Sequence, residues 1–417
     1  MSIWNIKSKT YYPWIVVGIL WVVSLLNYLD RLLIASMRDP IKESIPMTDA
    51  QFGLLTTIFL FVYGTLSPLG GYMADRYSRK LVIVISLLVW SAVTLWTGYV
   101  NSFGEMLTAR AIMGISEACY MPAAVALITD YHVGRTRSIA SGLLMSGLYA
   151  GMALGGTGGY IADIWGWRYG FHLFGGIGIV YSIFLFFILR DAPANQVEVK
   201  TSPDEQNKLN NKEKVNIADI VRNLFSSRSY WIILVYSILL GMTFWVIYAW
   251  LPTYFKERFN LSLGNAGVSA TAFIQVASLI GVIAGGILAD RWSARNIRGR
   301  LFVPMIGFII GGPFLFAMAS TGVFGIAIAG ITVFGLAKGL HDANFMPIIC
   351  QVVDVRYRAT GYGIMSFFSV LAGGIMIYIG GALKDANISL SVVYQVSAVG
   401  VLLSGLILLA VRLKKES

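Results

Sequence analysis

The stretch "GYMADRYSRK" occupies residues 71 to 80, and "GGILADRWSAR" occupies 285 to 295, so Ala74-Asp75-Arg76 returns as Ala289-Asp290-Arg291. The echo is not isolated. "GISEACYMP" (114 to 122) matches "GLHDANFMP" (339 to 347) as Gly-x-x-acid-Ala-x-aromatic-Met-Pro, and "RTRSIASG" (135 to 142) matches "RYRATGYG" (356 to 363) as Arg-x-Arg followed five residues later by Gly. Three matches in the same order, at offsets of 215, 225 and 221, mark an internal repeat of about half the chain.

The surroundings of these motifs are apolar. The 417 residues are 57% hydrophobic and 13% charged, with a mean hydropathy of +0.70, whereas an average soluble domain carries roughly 25% charged residues. Windows of about 20 apolar residues suffice to cross a hydrocarbon core of roughly 30 Å. Twelve such windows fall near 12 to 34, 51 to 73, 81 to 100, 104 to 129, 138 to 160, 168 to 189, 230 to 252, 265 to 289, 301 to 319, 323 to 349, 360 to 383 and 389 to 411. The first is too long for a signal peptide and carries an internal Asp-Arg pair. The chain therefore reads as an all-α integral membrane protein of twelve transmembrane helices in two pseudo-symmetric six-helix bundles, 1 to 190 and 230 to 417. The only long polar segment, 191 to 229, forms a cytoplasmic linker between them. Its part "NIADIVRNLF" has helical spacing and is expected to lie along the membrane surface. Parallel repeats of this kind place the working site between the halves, near the bilayer midplane.

A net charge of +11 suggests a nucleic-acid partner until the charges are placed. Arg38, Lys42, Arg168, Lys256, Arg258 and Lys384 lie in loops on one side; Arg31, Arg110 and Lys338 lie inside spans; the remaining 23 of the 32 Lys and Arg share the side of the N-terminus. This positive-inside bias predicts cytoplasmic termini. No nucleic-acid partner is expected, and a monomer in the lipid bilayer is. Cys119 and Cys350 are the only cysteines, both at or inside spans, which predicts free thiols. No phosphate-cradling Gly-Lys-Ser/Thr loop, metal-ligand cluster or nucleophile-base pair stands out, so the sequence does not read as an enzyme and implies neither a metal nor an organic cofactor.

The loop Gly71 to Lys80, Gly-x-x-x-Asp-Arg-x-x-Arg-Lys, resembles the signature loop of the major facilitator superfamily, and the resemblance covers the whole chain. More narrowly, "NYLDR" (27 to 31) with "RAIMGISEACYMP" (110 to 122) is similar to the anion:cation symporter family of sugar-acid permeases and vesicular glutamate and sialic-acid carriers. Spinster-like transporters share Asn-Tyr-x-Asp-Arg and Gly-x-x-Glu-Ala. The resemblance implies a secondary active transporter of the bacterial inner membrane, importing a small organic anion, a sugar acid, by proton symport. Carboxylates would also suit sodium as the coupling ion. The alternatives are a Spinster-like carrier of a lipid or amphiphile, and a non-transporting sensor on the same scaffold; for a sensor the longest polar segment offers little output domain.

A charge at a helix centre costs about 2.5 to 3.5 kcal/mol, so Asp30, Arg31, Arg110, Glu117, Lys338 and Asp342 each need a reason. Mutual pairing that holds helices in register is one. Arg31 offers a planar fork for a carboxylate, and by resemblance it occupies the substrate-binding arginine position, with Tyr28 and Tyr63 beside it. Adjacent residues on a helix point about 100° apart, so Asp30 and Arg31 cannot face one partner. Asp30, Glu117 and its repeat-mate Asp342 are the candidates for proton coupling; Arg110, two turns before Glu117, sits below it rather than on it. Trp245 and Tyr248, Gln275, Asn344, Tyr120 and Ser366 complete the expected substrate contacts. Asp75, Arg76, Arg79, Arg135, Asp290 and Arg291 are expected to act as gates, with Asp75 meeting a helix N-terminus or the Arg135-Arg137 pair.

Overall fold

The computed structural model describes residues 3 to 132, 135 to 192, 217 to 354 and 357 to 413. Among them twelve helices are long and apolar enough to cross a membrane: Tyr11–Ser36, Asp49–Arg76, Arg79–Thr97, Phe103–Tyr131, Thr136–Trp165, Trp167–Ile188, Arg228–Phe259, Leu263–Ser293, Gly299–Ser320, Phe324–Val352, Thr360–Asp385 and Leu390–Ala410. Each window predicted from hydropathy overlaps one of these spans, and four of them, 81 to 100, 168 to 189, 323 to 349 and 389 to 411, overrun it by one to three residues. Spans five, seven and eight run four to seven residues past the C-terminal ends of their windows, the other ends agree within three residues, and polar caps set several of the starts. Thr48 and Gln51 form a capping box at the start of span two. Ser78, Ser102, Ser227, Ser262 and Ser389 accept backbone N–H groups at the starts of spans three, four, seven, eight and twelve. Span five is interrupted: one helix ends at Gly155 and a second begins at Gly158.

The predicted linker helix is present over Ile217–Ser226. It packs on the foot of span seven, where Trp231 donates its indole N–H to the carbonyl of Phe225 (2.8 Å). The part of the linker from 193 to 216 lies outside the described residues.

Each half is a bundle of six spans, and the halves meet chiefly along two seams, span two against span eleven and span five against span eight. The seams tighten toward the face opposite the termini. Gly156 and Gly267 bring the backbones of spans five and eight together so closely that a Cβ on either would strike the other's carbonyl. On the second seam Gly53 faces the carbonyl of Ile377, and Thr57 donates to that of Gly374 (2.6 Å).

At this distal face the halves are also joined by charge. Arg38, next to Asp39 in the short helix Arg38–Ser44, pairs with both Asp39 and Asp49. Lys42 pairs with Asp49 (2.5 Å). From the other half Lys256 pairs with Asp39, and Lys384 bonds Glu257 (2.7 Å). The carboxylate of Asp385 accepts the backbone N–H groups of Asp49 and Ala50 (2.8 Å each), so the end of span eleven caps the start of span two. Sequence reading missed this network. Its signal was three basic-acidic doublets at span ends, Arg38-Asp39, Lys256-Glu257 and Lys384-Asp385.

At the terminal face the expected gating residues pair within their own halves. Arg79 meets Asp130 (3.0 Å) and Arg300 meets Asp290 (2.6 Å). Asp75, Arg76 and Arg291 are exposed, and among the described residues Asp75 makes no ion pair with Arg137. The side chain of Arg135 lies outside the described residues. Among the described residues, the ion pairs that cross between the halves lie at the distal face.

Candidate functional site

Arg31 and Asp30 do point apart. Asp30 turns into the first bundle, where Thr94 donates to it (3.3 Å) and its other oxygen is buried without a partner. Arg110 lies within electrostatic reach of both Asp30 and Glu117, with its own N–H donating to the sulfur of Met113 (3.3 Å). Arg31 turns toward the second bundle. Its Nε donates to Oε2 of Glu117 at 2.5 Å, with Arg31 only 6% exposed and Glu117 fully buried. The partner of Glu117 is therefore Arg31, not Arg110. The sequence could not show this, because spans one and four are brought together only by the fold.

The guanidinium is boxed by three rings, Tyr28 at 4.5 Å, Phe59 at 5.0 Å and Tyr63 at 4.4 Å from its centre. Glu117 is its sole acceptor among the described residues, so the terminal N–H groups of the fork remain for a ligand. Oε1 of Glu117 and the side-chain amide of Asn27 are both buried with no hydrogen bond of ordinary geometry, and the amide lies beside the carboxylate close enough to interact with it. Buried polar atoms left over in this way are uncommon in folded proteins.

A narrow cavity opens between the halves on the far side of Arg31, lined by Arg31, Thr56, Phe59, Trp245 and Tyr248 among others. Trp245 and Tyr248, edge to face at 6.1 Å, thus reach the same space as Arg31. Tyr248 adjoins Gln275 and Lys338. Lys338 pairs with Asp342 one turn on, and from the other half Tyr149 donates its hydroxyl to the same carboxylate oxygen (2.6 Å). Tyr362, 41% exposed, interacts electrostatically with both Tyr63 and Asp342.

Not every expected contact joins this site. Tyr120 is fully buried within the first bundle, its hydroxyl bonded to Ser24 (2.9 Å) and to the carbonyl of Leu20 (2.9 Å), with Trp90 against its ring. Asn344 donates to the carbonyls of Gly285 (3.2 Å) and Leu340 (2.9 Å) and ties span ten to span eight. Both positions hold helices together. Ser366 is half-buried on span eleven. His341 bonds the hydroxyl of Tyr236 (2.6 Å) inside an aromatic cluster with Phe308 and Phe345. Phe59, Tyr149 and Tyr362 were missed because aromatic residues in spans are common, and only the fold picks out those that face a charge.

The chain is 25% identical over 393 residues to a probable sulfoacetate transporter, SauU, of Cupriavidus necator, covering 92% of this chain and 90% of that one. It is 26% identical over 385 residues to spinster homolog 1 of Xenopus tropicalis, covering 86% of this chain and 70% of that one. Among solved structures, a bacterial homolog of the human lysosomal transporter Spinster, in an inward-facing and unoccupied conformation, superposes with a TM-score of 0.80 over 97% of this chain and 99% of its own, at 20% identity, a likeness of fold. The sequence profile of the Major Facilitator Superfamily matches residues 20–303, about two thirds of the chain, and with it the repeat, the twelve spans and the paired bundles: this multi-pass membrane protein belongs to the major facilitator superfamily.

Proposed function

We propose that the protein imports a small organic anion together with a proton, by alternating access between the two bundles. One observation carries the proposal: Arg31, the cation facing the cavity, is neutralised by a carboxylate that can itself be protonated. An anion and the carboxylate of Glu117 compete for the same guanidinium. Protonation of Glu117 releases Arg31 to the substrate, and loss of that proton expels the substrate. Binding of the one therefore favours binding of the other, which is the thermodynamic basis of symport. A sugar acid suits these surroundings, because Tyr248 in the lining, Tyr28 and Tyr63 against Arg31 and Gln275 beside Tyr248 offer hydroxyl and amide groups for its hydroxyls, and Trp245 offers a ring face. The name of the Cupriavidus relative supports an organic anion. The Spinster relatives support the alternative of an amphiphile.

Uptake of a panel of hexonates, hexuronates, sialic acid and sulfoacetate into proteoliposomes under an imposed proton gradient separates these readings. Saturable, gradient-driven uptake of an anion is expected. Saturable transport of a lipid and of no anion would overturn the proposal.

With the termini in the cytoplasm of a bacterium, as the loop charges favour, the sealed distal face is the outer gate and the arrangement is inward-open. Asp75, Arg76, Arg79, Arg135, Asp290 and Arg291 would then close the inner face in the opposite state. Asp385→Asn should open the outer gate, since it weakens two charge-assisted bonds at the N-terminus of span two. A loss of about 1 to 2 kcal/mol would shift the balance of states about five- to thirty-fold. Labelling of a cysteine placed beside Asp49 reports the shift, and unchanged labelling would contradict the gate.

Acid should weaken the same gate. Burial raises the carboxyl of Asp39, but Lys256 and Arg38 outweigh burial and hold it below the usual carboxylate range. The folded value being depressed, its contribution is complete above the ordinary value of about 3.9 and is lost as pH falls through the lowered one. The same label should therefore report a gate that stays closed down to the ordinary carboxylate range and loosens only as pH falls below it.

A further inference from the structure

Two cations face the space between the bundles, and the function proposed above uses only one. Lys338 is 6% exposed, lies over the rings of Tyr149 (5.1 Å) and Phe244 (5.6 Å), adjoins Tyr248 and is paired with a carboxylate. Arg31 has the same surroundings in the other half: three aromatic rings and one carboxylate partner. The repeat does not dictate this likeness. Glu117 and Asp342 are repeat-mates, but the repeat position of Lys338 in span four holds Met113, and Arg31 comes from span one.

We infer that Lys338 is a second anion-binding residue, and that the substrate is a short dianion whose two acidic groups are held by Arg31 from one bundle and Lys338 from the other. This rests on the reading of Arg31 as the first anion site. A pair such as Lys338 with Asp342, kept only for structure, gains little over apolar residues of the same volume, and inside a membrane it is retained for a task.

The surroundings equip Lys338 to change partners. When its ammonium turns to a ligand, Asp342 keeps the hydroxyl bond from Tyr149 and is not left bare. The two cations also differ in a useful way. The fork of Arg31 matches a planar carboxylate, whereas the ammonium of Lys338 is a point charge that accepts carboxylate or sulfonate alike. Tyr248 lines the cavity of Arg31 and adjoins Lys338, so one side chain links the two cations across the interface between the bundles. A ligand gripped by both bundles favours the state in which they close around it, because it binds that state better than the open ones.

Binding to the purified full-length protein tests this with pairs of equal skeleton: gluconate against glucarate, and glycolate against sulfoacetate. The dianion of at least one pair should bind at least about tenfold more tightly than its monoanion. Lys338→Gln should weaken dianion binding by a larger factor than monoanion binding and so remove that advantage, while Arg31→Lys weakens both. The double variant Lys338→Gln/Asp342→Asn, which leaves no unpaired charge, should behave like Lys338→Gln and covers the case in which the single variant does not fold. Equal binding of monoanion and dianion, or an advantage that survives the loss of Lys338, overturns the inference. If monoanion binding still depends on Arg31 in that outcome, the proposed function stands; if no anion depends on Arg31, both fall.

Discussion

In the Glu117→Gln variant, accumulation of substrate driven by a proton gradient is expected to fall to background while exchange of labelled for unlabelled substrate survives. Gln keeps the size and much of the hydrogen-bonding capacity of a protonated Glu but cannot release a proton. With Glu117 always in its proton-like state, Arg31 has lost the carboxylate that competes with substrate. Binding should therefore be at least as tight as in the parent. It should also become independent of pH, whereas the parent's affinity falls as pH rises and the competing carboxylate returns.

A fixed structural bridge predicts the reverse. Removing one partner of a buried ion pair leaves the other uncompensated, at a cost of about 3 to 5 kcal/mol, and expression, thermal stability and every transport mode would decline together. On the proposed account the bare guanidinium of the variant is the cation the substrate neutralises, so added substrate should raise its melting temperature more than it does the parent's. Counterflow on the purified variant decides between them. Retained gradient-driven accumulation would rule out Glu117 as the proton carrier.

Arg31→Lys should weaken binding at least about tenfold, from the loss of roughly 1.5 to 3 kcal/mol when a charged hydrogen bond of the fork goes. The shorter reach of a point charge among Tyr28, Phe59 and Tyr63 adds to the loss, because these rings are spaced for a flat cation. Lys at this position still neutralises Glu117, so the variant should fold. If Arg31 served structure alone, Lys would bind substrate normally and only Arg31→Ala would fail. Isothermal titration of the folded Lys variant separates these outcomes.

What could be read before the fold was known divides along physical lines. Hydropathy and repeat fixed the number of spans and their pairing in two halves, because in lipid every backbone group must be bonded within its own helix and each span is a local property. Intramembrane charge pointed to Arg31, Glu117 and Asp342 for a similar reason, since the cost of such a charge does not depend on its neighbours in sequence. Who meets whom was not legible. The bond from Arg31 to Glu117 joins residues 86 apart in sequence, and that from Tyr149 to Asp342 joins residues 193 apart. Tyr120 and Asn344 misled because a polar group in a span can be satisfied by a neighbouring backbone as readily as by a ligand. The charge network of the distal face was overlooked because loop charges ordinarily serve topology alone.

The central claim is that substrate and the Glu117 carboxylate take turns on Arg31, and proton uptake on binding tests it most directly. Titrating substrate into the lightly buffered, purified protein at a pH where Glu117 is ionised should draw protons from solution in step with saturation. Glu117→Gln should bind the same substrate with that uptake lost. Saturable binding to the parent with no proton taken up, across the pH range in which transport runs, would contradict the account.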